Sequence, residues 1–219
     1  MSAETVWYVA RAGGLIAWGL LAASVVWGIA LSTRLLGRRP RPAWLLDLHR
    51  YLGGLGVVFV VVHVGAIMAD SYVPFGPVAT FVPFAGSWHP AAVAWGIVAL
   101  YLLLAVELTS LLRSHLPMRV WRRVHYLSFA VFVLATAHGL SAGTDSNTSA
   151  MILTFLVVCA VVALLVTVRV VGVDRRPVGP RPARPRPVRP AAAGRQPAAT
   201  RVPARPTGTR SRAQTRSPA

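Results

Sequence analysis

The chain has 219 residues, 55% of them hydrophobic and 13% charged, against roughly 45–50% apolar and about 25% charged in an ordinary soluble domain. That balance argues against a soluble enzyme, and a single cysteine, Cys159, excludes a disulfide framework and any multi-cysteine zinc or iron–sulfur site within the chain. The formal charge of +17 is carried by arginine alone, and 12 of the 23 arginines fall after Asp174, among ten prolines.

A helix needs roughly 20 mostly apolar residues to cross a bilayer core about 30 Å thick. Five segments meet or nearly meet that length: Gly13 to Thr33, Trp44 to Ala69, Ala91 to Leu112, Val120 to Leu140 and Ala150 to Val171. Lipid offers a bare backbone no hydrogen-bond partner, so each span is expected to be a helix. The first run has no basic n-region before it and no clear small-residue cleavage site after it, and is read as a span that stays in the protein. The expected fold is all-α: a polytopic membrane helix bundle of about five transmembrane helices over 1–173, followed by a disordered Arg/Pro-rich tail over 174–219.

Between the first two spans lie Arg34, Arg38, Arg39 and Arg41, and between the third and fourth lie Arg113, Arg119, Arg122 and Arg123. Cytoplasmic loops retain positive charge, so both loops and the tail are expected inside, with the N-terminus out. The other two loops, 70–90 and 141–149, carry no arginine. The first of these, with Pro74, Phe75, Pro77, Phe81, Pro83, Phe84 and Trp88, is too aromatic to be freely solvated and is expected to lie on the interface over the outer mouth of the bundle. Arg11, near the outer end of the first span, snorkels to the headgroups or serves a site at that depth.

Four of the six histidines fall inside spans: His49 and His63 in the second, His125 and His138 in the fourth. Ionisable groups there are costly and are functional candidates by default. His49 and His63 are 14 residues apart, about 21 Å along a helix and within about 40° of one face. His125 and His138 are 13 apart, about 19.5 Å, with an ideal-helix phase difference of about 140°. Both helices run from inside to outside, so His49 meets His125 at one depth and His63 meets His138 at the other. Imidazoles facing each other at two depths are what two stacked b haems require, and bis-imidazole iron exchanges one electron with little rearrangement. Zinc is the weaker reading, because closed sites gather four ligands. The plain alternative is hydrogen bonding between helices.

The runs His49-Arg50-Tyr51-Leu52-Gly53 and Trp121-Arg122-Arg123-Val124-His125, with His63 and His138 at those spacings, resemble the ferric reductase-like transmembrane domain. That haem-bearing membrane part is shared by ferric reductases, NADPH oxidases and the membrane subunit of a bacterial methionine sulfoxide repair system. The resemblance spans Val6 to Val171 and implies two haems passing electrons outward, with His49 and His125 on the inner haem iron and His63 and His138 on the outer. Full-length oxidases and reductases continue into flavin and nicotinamide domains. No Gly-rich phosphate loop or strand pattern follows the fifth span here, so a separate flavoprotein or quinol is the expected donor. Many members have six spans, and the long outer loop is the one candidate for a partial sixth.

Arg50, Arg122 and Arg123 flank the inner histidines, where guanidinium pairs with haem propionates or simply records topology. Phe59, Phe129 and Phe132 lie between the two histidine depths, with helix packing as the default reading. Glu107 is expected to pair with an arginine of the loop that follows it, with relay of a proton as the alternative. Gly143-Thr144-Asp145 and His89 are an outer turn and a loop histidine, or the edge of an acceptor site. The expected function is therefore an oxidoreductase component of the bacterial cytoplasmic membrane. It carries single electrons to an extracytoplasmic acceptor; the alternative is a non-catalytic haem-carrying anchor that recruits a separate reductase. Membrane lipid is the expected partner of the tail, and no specific nucleic acid is expected.

Overall fold

The computed structural model describes residues 2–33, 43–70, 75–144 and 146–174. The expectations for Arg34, Arg38, Arg39, Arg41, Pro74, Asp145 and the tail beyond Asp174 lie outside the described residues. The elements are α1 (Ala3–Thr33), α2 (Ala43–Ala69), α3 (Pro77–Phe81), α4 (Pro90–Leu111), a 3-10 turn at Arg113–His115, α5 (Met118–His125), α6 (Leu127–Ala142) and α7 (Ser149–Asp174). No strand occurs among the described residues. Five segments are long and apolar enough to cross a membrane, α5 and α6 together making one of them, and the protein is a multi-pass membrane protein.

Two boundaries differ from the hydropathy reading. α1 begins at Ala3 rather than Gly13, because helix ends follow capping and not apolarity. The Ser2 hydroxyl accepts the Thr5 backbone N–H at 3.3 Å, and Glu4 in the first turn suits the positive end of the helix dipole. The fourth span is broken at Tyr126, with α5 ending at His125 and α6 starting at Leu127. There the Phe129 N–H bonds the Tyr126 carbonyl, a tighter step than the regular α-helical one. An ideal-helix phase cannot be carried through that turn, which removes the basis for the phase mismatch between His125 and His138.

The aromatic loop forms α3, whose five residues are too short to span a bilayer, so it adds no sixth span. It is held by the Tyr101 hydroxyl on α4, which donates to the Phe81 carbonyl at 2.5 Å. Pro90 follows directly on His89, and a residue before proline is pushed out of the right-handed helical region; His89 takes φ 39°.

α1 packs along α2, and α4 packs along α6, while α7 lies on α1. α2 touches α4 only slightly and scarcely meets α6, whereas α1 meets α6 directly, so the two helical hairpins join through α1 and α6 and leave a gap between α2 and the α4–α6 pair. Without a strong apolar driving force in lipid, helices associate by close packing of small side chains, and Gly13, Ala17, Ala22 and Ser24 line the buried face of α1. One apolar cluster joins α1, α6 and α7 through Ala22, Val25, Ile29, Phe132 and Val162. Phe132 is buried there and Phe129 packs against it, so both serve packing. Leu156 and Leu164 on α7 are 62% and 63% exposed, as expected of side chains that face lipid.

The cluster has one polar tie. Trp18 Nε1–H donates to Thr136 Oγ1 at 3.0 Å, and the Thr136 hydroxyl donates onward to the Phe132 carbonyl at 2.7 Å. Trp18→Phe keeps an aromatic ring beside Phe155, 4.2 Å away between centroids, and leaves Thr136 with a partner. Its expected cost is one hydrogen bond, about 1 kcal/mol, read as a fall of about 2–4 °C in the thermal midpoint of the detergent-solubilised protein.

Candidate functional site

The four membrane histidines form two pairs across the gap between the hairpins. The His49 and His125 rings are 6.0 Å apart between centres and inclined at 78°. The His63 and His138 rings are 6.2 Å apart and inclined at 77°. Neither pair is in hydrogen-bonding contact, and the two arrangements are nearly identical.

That distance has a chemical meaning. A metal–imidazole bond of about 2.0 Å plus about 1.1 Å from nitrogen to ring centre, taken on both sides, places two axial imidazoles about 6.2 Å apart across one metal. Both pairs stand near that separation, so each could hold one metal between its two rings. Among the described residues, no three of His, Cys, Asp and Glu gather at one point, so a closed zinc site lacks ligands. A haem, whose porphyrin fills the equatorial positions, asks only for the two axial nitrogens present at each depth.

Three of the four rings are seated on a helix that has given up a side chain to hold them. A Cβ on Gly14 of α1 would lie 2.8 Å from His63 Nδ1, and one on Gly96 of α4 would lie 2.8 Å from His138 Nδ1. A Cβ on Gly28 would lie 3.2 Å from His49 Cε1. With the glycine surface open, His63 Nδ1–H donates to the Ala10 carbonyl at 2.6 Å and His138 Nδ1–H to the Ala92 carbonyl at 2.8 Å. A carbonyl only accepts, so the proton sits on Nδ1 and the Nε2 lone pair is free for a metal. His49 Nδ1 stands 3.3 Å from Ser24 Oγ. His125 Nδ1 is buried without a hydrogen-bond partner, and its ring is stacked on Trp121 at 4.9 Å and 20°. Trp121 also carries the Arg113 guanidinium, 4.8 Å from the ring centroid.

The flanking candidates are more dispersed. Arg50 is exposed and pairs with Asp47 at 3.4 Å, while Arg122 and Arg123 are exposed on α5. Arg11 lies over the Trp7 ring at 4.9 Å. Glu107 has no arginine partner among the described residues. Its Oε1 instead lies where only a glycine fits, 2.8 Å from a Cβ on Gly53 of α2.

The glycine seats, the carbonyls of Ala10 and Ala92, and Ser24 are absent from the sequence reading. Glycine inside a helix costs roughly 1 kcal/mol relative to alanine, and its recurrence mid-span is the available signal of close approach. Arg169 is a further addition: it donates to Ser32 Oγ at 2.6 Å and Tyr126 Oη at 3.3 Å, tying α7 and α1 to the break beside His125.

Residues 13–136 match the model of a family described as "Ferric reductase like transmembrane component". The match takes in His49, His63 and His125 and stops just short of His138. No curated protein and no solved structure was found to match the chain.

Proposed function

The chain belongs to the family of ferric reductase-like transmembrane components, and from that premise we propose that this membrane electron-transfer protein carries single electrons on two stacked b haems. His49 and His125 would hold the inner haem, and His63 and His138 the outer. The observation that carries the reading is the twin ring separation of 6.0 and 6.2 Å, which would let each pair hold one haem iron between its rings.

When bound, haem supplies the one-electron redox couple; the polypeptide supplies position and surroundings. The Nδ1–H bonds of His63 and His138 to Ala10 and Ala92 fix each ring and leave Nε2 the more basic, which strengthens an axial ligand. The two helical hairpins would hold both pairs in place within the membrane-spanning bundle. Exposed Arg50, Arg122 and Arg123 lie at the inner end, where their charge favours haem propionates.

The arginine loops support a bacterial cytoplasmic membrane protein with its N-terminus out and C-terminus in. Electrons would arrive from a separate flavoprotein or quinol and leave to an extracytoplasmic acceptor. Residues 1–173 form the haem-carrying unit on this reading. The segment 174–219, with net charge +11, would lie on the cytoplasmic side, where its arginines suit the anionic leaflet.

A dithionite-reduced minus oxidised spectrum of the purified protein, with a pyridine haemochrome assay, tests the proposal. Two b haems per chain are expected; folded protein that binds none would leave the histidines as interhelical polar contacts.

A further inference from the structure

The histidine seats follow a rule that one of the four positions breaks. On α1 the hydrogen-bond partner and the glycine are one helical turn apart, Ala10 with Gly14 under His63, and again Ser24 with Gly28 under His49. The interval between the two seats on α1 equals the interval between His49 and His63 on α2. On α4 the seat of His138 is Ala92 with Gly96. The same interval further along α4 leads to Val106 and Ser110, the register positions at which His125 would find its own seat.

Where the rule asks for glycine, the chain has Ser110. A Cβ at the equivalent glycines would lie only 2.8–3.2 Å from an imidazole, so a residue carrying one cannot let the ring settle flat on α4. Val106 is buried at 4% exposure; its carbonyl accepts from the Thr109 hydroxyl at 3.1 Å and receives nothing from His125, whose Nδ1 is buried without a partner. Ser110 Oγ is buried and unpartnered as well. What holds the ring is the stack on Trp121, a contact that permits sliding, whereas the bonds of His63 and His138 are directional. His125 is also the last residue of α5, beside the break at Tyr126.

We infer that His125 is the one axial ligand able to let go, so that the haem it shares with His49 admits a small neutral ligand such as carbon monoxide in its place. The inference rests on the haem reading above. The exchange would be redox-neutral: His125 Nε2 would withdraw its lone pair from the reduced iron and carbon monoxide would supply one in its place, with no electron or proton moved. The haem held by His63 and His138 stays closed, because both rings are tied to backbone carbonyls.

The test uses the full chain in detergent, with haem counted first. Carbon monoxide added to the dithionite-reduced protein is expected to convert half of the haem. Ser110→Gly opens the seat, lets His125 donate to the Val106 carbonyl, and is expected to slow carbon monoxide binding by about tenfold, the worth of one regained hydrogen bond. Ser110→Ala keeps the Cβ and is expected to behave as the unaltered protein. Two haems with no carbon monoxide adduct, or an adduct on both, would overturn the inference while leaving the haem reading intact. So would equal rates in the unaltered protein and Ser110→Gly, or an alanine variant as slow as the glycine one. Absence of haem would instead overturn the haem reading. The result with the unaltered protein stands even where a variant fails to fold.

Discussion

Replacing His138 with alanine will remove one of two haems and leave the other with its bis-imidazole spectrum. His63→Ala will do the same, because His63 faces His138 with ring centres 6.2 Å apart. The informative result is the double variant. His63→Ala with His138→Ala takes both residues from one pair, so it will lose no more haem than either single change. His49→Ala with His138→Ala takes one residue from each pair and will lose all of it. Such non-additivity is the signature of groups acting as a unit, and additivity that of independent ones. Haem per chain by pyridine haemochrome, with helix content by circular dichroism to show that the bundle survives, decides it. Equal losses in the two double variants would separate the histidines from haem pairing.

The glycine seats carry the second large effect. Gly96→Val will abolish the outer haem, and Gly14→Val will match it, although neither residue carries a functional group. At both positions the first side-chain carbon would already lie 2.8 Å from the imidazole Nδ1, inside van der Waals contact, and the branched methyls of valine add to the clash. Overpacking of this kind costs about 1–3 kcal/mol, and here the group displaced is the ligand itself. Gly19→Val is the internal control: it lies on the same helix as Gly14, with nothing within 4 Å of its Cβ position, and should leave haem content unchanged. Loss of haem from all three variants would indicate general disruption of α1 in place of a specific seat.

How far the sequence carries can be judged from particular residues. The spans and the pairing of His49 with His125 and His63 with His138 are legible, because hydropathy fixes depth and topology fixes direction. The azimuth of the fourth span is not, since the turn at Tyr126 leaves no mark in hydropathy. Glu107 is expected to find an arginine and lies instead against Gly53, an outcome set by tertiary packing. The aromatic loop is a candidate partial span by composition, and it folds only as far as a five-residue helix. Ala10, Ala92 and Ser24 are unreadable as second partners of histidine, because two of them act through backbone carbonyls that every residue possesses.

Each pair draws one histidine from α2 and the other from the broken span of α5 and α6. A ribosome making this chain therefore releases two half-sites with α2 and completes neither until α4 has passed and His125 and His138 follow. Both histidine pairs are then completed within a single stretch of insertion. A nascent chain arrested after α4 would hold every glycine seat but only two of the four rings. On the two-haem reading, a shortage of cofactor at that stage of synthesis would be expected to affect both sites together.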